Sequence, residues 1–188
     1  KIYLYGVLAQ AFYVGAQIMC WTFIIHYAER LGLSKSTAQN YNIAAMIIFI
    51  SARFFSTYLL KFFKGTQLLF VYSLGAMLTI TGVILLQNMA GLYLLVATSF
   101  FMSLMFPTIY GIALKDMGEE AKLGSAGLVM AIVGGALMPP IQGLIIDGDG
   151  FIGLPSENIS FILPWICFMA TAFYGYFSLK NQVYATNE

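Results

Sequence analysis

The sequence predicts an all-α integral membrane protein with six transmembrane helices, and three observations carry that prediction. Hydrophobic residues make up 60% of the 188 and charged residues only 9%, whereas a soluble domain carries about a quarter charged residues. Six apolar runs approach the roughly 20 residues a helix needs to cross a hydrocarbon core of about 30 Å. The runs are separated by short polar breaks, and the mean hydropathy is +0.83. Backbone in lipid must bond to itself, so the runs are helices, not open strands.

The spans follow in order. Span one covers 3–26 and ends at "ERLGLSKST"; span two covers 39–60 and ends at "KFFKGT". Span three, 67–87, is joined by the tight turn "QNMAG" to span four, 91–114, which holds Pro107. "KDMGEEAK" leads into span five, 124–146, and "DGDGFIGLPSEN" into span six, 159–179. Lys61, Lys64, Lys115, Lys122 and Lys180 fall with Lys1 on one side of this zigzag, while Arg30 and Lys35 share the other with Asp147, Asp149 and Glu157. Positive charge stays in the cytoplasm, which predicts that both chain ends are cytoplasmic. No signal-peptide cleavage pattern follows the first run. The chain starts at Lys1 rather than Met, so the expectation is a piece of something longer.

Shifting the first three spans by 88 residues lays Tyr5 on Tyr93, Ala9 on Ala97, Phe12 on Phe100 and Tyr13 on Phe101. The two triplets enter the membrane from opposite sides, as a three-plus-three inverted repeat requires.

Polar groups inside the spans point to function. Gln10, Val14, Gln17 and Trp21 form one helical stripe, bordered by Tyr13. Amides can donate and accept towards hydroxyl pairs, and aromatic faces pack on a sugar's C–H surface. One glutamine alone would be read as a clip between helices; two on one stripe with aromatics favour a polar cavity for a neutral sugar. At the repeat offset, span four presents Thr98, Phe101, Met105 and Ile109. These would supply an apolar cavity wall or, equally, core packing. Pro107 frees a backbone carbonyl that only a packed or wet interior tolerates.

Arg53 is the one charge well inside a span, within snorkelling reach of the nearer membrane face. It reads as an anchor that can also pair with another helix, ahead of a sugar contact. In span five, Gly124, Gly127, Ala131 and Gly135 form a small-residue stripe for close helix packing. Gly134 and Pro139–Pro140 would bend or end that tight segment. His26 at the end of span one is a polar tip before it is a pH sensor.

Other chemistry is excluded. Cys20 and Cys167 lack ligand spacing and read as small core residues. The calcium-like "DGDGF" has Phe151 where an oxygen ligand is required. The sequon Asn158-Ile159-Ser160 hugs the membrane and reads as fortuitous. The sequence offers no metal site, no nucleic-acid surface and no catalytic motif, so it is not read as an enzyme. The apolar cores hold no Asp, Glu or Lys to carry a coupling proton.

The blocks "LAQAFYVGAQIMCWTFIIHYA", "NYNIAAMIIFISARFFSTYLL", "FMSLMFPTIYGIALKDMG" and "KLGSAGLVMAIVGGALMPPIQGLIID" resemble the carboxy-terminal half of the fucose–galactose–glucose proton symporters of the major facilitator superfamily. "YVGAQ" followed by "WTFIIHY" is closer to the L-fucose permeases within that family; its hexose members tend to carry an acid where Gln17 stands. The resemblance implies that residues 1–188 are one six-helix half, partnered in the lipid by an amino-terminal six-helix half. It implies a proton as coupling ion, carried by that other half, and no further cofactor. It places the protein in a bacterial inner membrane, moving a sugar by alternating access: L-fucose first, glucose or galactose second. Asn40 and Tyr41 become wall residues near the outer mouth, and Phe106 stands where a tyrosine hydroxyl is expected. The reading from a different class is a non-transporting membrane sugar receptor or assembly subunit on the same fold.

Overall fold

The computed structural model describes residues 2–115, 117–148 and 154–185. It is helical, with α1 (Ile2–Arg30), α2 (Lys35–Leu59), α3 (Gly65–Leu85) and α4 (Met89–Leu114) forming the first four spans. Span five consists of α5 (Ala121–Met130) and α6 (Gly134–Ile146), joined by a 3-10 turn at Ala131–Val133. Span six consists of α7 (Ser156–Ser160) and α8 (Ile162–Ala185). All six are long and apolar enough to cross a membrane. Lys1, Asp149 and the Phe151 position of the calcium-like loop lie outside the described residues.

The helix ends follow local chemistry. Ser34 caps α2 by accepting from the Thr37 N–H, and Asn88 caps α4 by accepting from the Ala90 N–H. Gly32 sits at φ 84, the left-handed conformation that ends α1 and that glycine adopts without a Cβ clash. The expected break in span five is displaced. The helix runs through Pro139 and Pro140, and the irregular turn falls earlier, at Ala131–Val133. There the backbones cross closely: a Cβ on Gly134 would lie 2.2 Å from the carbonyl oxygen of Ala11. Gly135 packs on Val14 and Ile18, and Gly127 on the hydroxyl of Tyr3, so the small-residue stripe seats span five on α1.

Spans one and four form the centre, with 56% of each apolar window buried in the bundle, against 28% for span two and 17% for span five. Span one packs on spans two, four, five and six; span four packs on one, two, three and five; and span three packs on six. Exchanging one with four, two with five and three with six maps these pairs onto each other. That is the packing of a three-plus-three inverted repeat. The short α7, which also touches α6, is the departure from it.

The end of the bundle opposite the first residues is tied by a polar knot. Asn158, fully buried, donates to the carbonyls of Val83, Ile84 and Leu86 and accepts from Arg30. Arg30 also lies 4.0 Å from the carboxylate of Glu157, and the Tyr27 hydroxyl donates to Leu86. Asn158 thereby satisfies carbonyls left open where α3 ends. Its burial agrees with reading the sequon as fortuitous.

Candidate functional site

The structure divides the predicted stripe of α1. Gln10 and Tyr13 are 0% exposed, whereas Gln17 and Trp21 are half-buried at the bundle surface. Depth along the helix separates them. Around Gln10 the neighbours close in: Gly6 lies against Ala113 and Tyr174, and the Ala11 backbone lies against Gly134. The Tyr13 hydroxyl donates to the Met102 carbonyl at 2.7 Å and its ring stands edge-on to Phe106. Gln10 and Tyr13, expected to line a polar cavity, lie inside this bundle with no exposed area.

In span four the packing alternative is the one the contacts support. Met105 is 0% exposed, and Thr98, also buried, donates to Thr79 of α3 at 2.8 Å. Phe101 covers Gly75 and stands edge-on to Tyr72, so its ring fills the seam between α3 and α4. Thr98 and Phe101 pack against α3, and Met105 is buried in the core. Asn40 is exposed at the start of α2, beside the Tyr41–Tyr93 ring pair at 6.1 Å. That puts it near the end of the bundle where α1 finishes.

What remains together is a surface built on α1, α2 and α4. The Trp21 indole N–H donates to the Ser99 hydroxyl at 3.3 Å, and its ring meets Phe49 at 5.0 Å and 89°. Gln17, one turn away on the same helix, makes no side-chain hydrogen bond among the described residues. Its amide is thus available to a polar ligand, next to an aromatic face.

Arg53 extends this surface. Its guanidinium lies over Phe49, with Cζ 4.9 Å from the ring centre, and its Nε donates to the Ser103 carbonyl at 3.2 Å. That carbonyl is the one Pro107 leaves open, because in an α-helix it would accept from the N–H of residue 107. Ser56 joins Ser103 to Tyr72 through hydroxyl contacts of 3.2 and 2.8 Å. Sequence reasoning missed Phe49, Ser99 and Ser103, whose residue types carry no signal until α2 and α4 are in contact. It also missed Gln142, buried in α6 and donating to Ser160 at 3.0 Å. An amide inside an apolar run was the available sign. Among the described residues there is no group of three or more His, Cys, Asp or Glu that could hold a metal.

The chain is thus a bundle of six lipid-length helices in an inverted repeat, with an amide–aromatic patch on its central helix. A crystal structure of the major facilitator superfamily transporter FucP, in the outward conformation, has the same fold. Its TM-score is 0.89 at 33% identity, covering 95% of this chain and 42% of that one. In sequence the chain is similar to the L-fucose-proton symporter of Haemophilus influenzae, 61% identical over 175 residues, 93% of this chain and 41% of that protein. The L-fucose-proton symporter of Escherichia coli is 35% identical, over 97% of this chain and 40% of its own length. A putative glucose/galactose transporter of Helicobacter pylori is 28% identical, over 97% and 45%. The chain thus spans about two fifths of the length of these relatives, which are named as transporters, not enzymes. No family model matches.

Proposed function

We propose that this chain is the carboxy-terminal six-helix half of a proton-coupled L-fucose transporter. The observation that carries the reading is the 61% identity to an L-fucose-proton symporter along 93% of the chain. Identity falls to 28% for the glucose/galactose relative, which ranks fucose ahead of the hexoses. In this reading Gln17 and Trp21 hold the sugar, by amide-to-hydroxyl bonds and by indole packing. Asn40 lies at the mouth.

The partner is an amino-terminal half, and the weakly buried spans two and five offer it their apolar faces. The coupling proton belongs to carboxylates of that half, since the interiors of these spans hold no acid. Alternating access then comes from rocking of the two bundles about the sugar. Lysine bias puts both ends of this chain in the cytoplasm of a bacterial cell, with the bundle in the inner membrane.

Uptake of labelled L-fucose, glucose and galactose by vesicles carrying the full-length protein tests this. L-fucose accumulation driven by an inward proton gradient is expected. Preference for glucose or galactose would move the substrate to the hexose class. Sugar binding without accumulation would replace the transporter reading by that of a receptor.

A further inference from the structure

We propose that Arg53 is a positioning residue that couples the sugar-facing Trp21 to the hydrogen-bond gap at Pro107 in span four, by supplying the donor that Pro107 withholds from the Ser103 carbonyl. The proposal deepens the transport reading and rests on Trp21 as a sugar contact.

The geometry is continuous. Trp21 touches α4 at Ser99 and Arg53 touches it at Ser103, one helical turn further on. Phe49 lies between them, edge-on to the indole and under the guanidinium. A carbonyl without its helical partner costs free energy in a low-dielectric interior, and it marks where a helix can hinge. A charged donor from another helix satisfies that carbonyl only while α2 and α4 keep this register. Sugar packing on Trp21 therefore reaches the Ser103 carbonyl that Pro107 leaves open through one ring and one guanidinium. Core serines do not substitute, because Ser103 Oγ already donates to the Phe100 carbonyl.

The test is a cycle in the full-length protein: Arg53→Met, Arg53→Lys, Pro107→Ala, and Arg53→Met with Pro107→Ala. Initial L-fucose uptake, equilibrium sugar binding by tryptophan quenching and unfolding temperature are measured for each. Arg53→Met is expected to lower turnover about tenfold while sugar affinity changes less than about threefold, the signature of a group acting on the moving state and not on the sugar. Arg53→Lys should lose less.

Pro107→Ala returns an N–H to the Ser103 carbonyl. Combined with Arg53→Met, it should recover turnover to within about threefold of the parent protein. A double variant no better than Arg53→Met alone would overturn the proposal. So would a loss expressed in affinity with turnover intact, since Arg53 would then be binding sugar. If the parent protein moves no sugar, the transport reading itself has failed, and with it the link to Trp21. The unfolding temperatures still judge the carbonyl pairing in that case: suppression of the Arg53→Met loss by Pro107→Ala upholds it, and additive losses overturn it.

Discussion

The amide of Gln10 has no exposed area, and neither of its polar atoms has a hydrogen-bond partner among the described residues. A buried amide left in that state costs about 1–3 kcal/mol, which an apolar side chain of the same length does not incur. Gln10→Met is therefore expected to raise the unfolding free energy by about 1 kcal/mol and to leave sugar affinity unchanged. Gln17→Ala should do the reverse. Loss of an amide–hydroxyl contact of about 1–1.5 kcal/mol corresponds to roughly a tenfold rise in KM with little change in stability. Uptake kinetics and thermal unfolding of both variants check the pair, and a KM effect at Gln10 would return the sugar to the interior stripe. The sequence made these residues indistinguishable, because periodicity reports the angle around a helix and not the depth at which neighbours close over it. The same holds for Tyr13 and Met105, both with no exposed area. Trp21 stood out in sequence as an indole on an amide-bearing stripe, while its partner Ser99 carried no signal of its own.

The six spans were legible as elements because lipid demands length and apolarity from each of them separately. Their ends were nearly so, through Ser34, Gly32 and Asn88. The turn in span five was not: prolines are visible in sequence, but the near-contact of two backbones at Ala11 and Gly134 is a property of the pair. Substitutions there distinguish packing from helix propensity. Gly134→Ala drives a Cβ into the Ala11 carbonyl, an atom that moves only if α1 and α6 separate, and should destabilise by about 1–3 kcal/mol. Gly111→Ala, in α4 with nothing within 4 Å of the added carbon, should be neutral or stabilise by up to about 1 kcal/mol. Thermal unfolding of the two variants measures the difference. Equal effects would mean that span five is not seated on α1 through Gly134.

At the scale of the whole molecule, the inverted repeat makes orientation a single choice. The packing pairs exchange under the swap of triplets, and consecutive spans alternate in direction, so fixing one loop fixes all of them. Lys61, Lys64, Lys115, Lys122 and Lys180 lie at the end of the bundle where α1 begins. Arg30 and Lys35 lie at the other end, where Arg30 is engaged by Asn158 and Glu157. Lys35 is the only other lysine or arginine at that end among the described residues, against five lysines at the other. Cys20 and Cys167 are each 1% exposed, so the native thiols form a silent background for labelling. Gln87→Cys, in the turn between α3 and α4, is expected to react with a membrane-impermeant maleimide in intact cells. Glu119→Cys, in the turn before α5, should react only after permeabilisation. The opposite pattern would invert all six spans at once. It would also place Asn40 and the α1–Asn158 knot in the cytoplasm, moving the mouth assigned to sugar entry to the face from which sugar leaves.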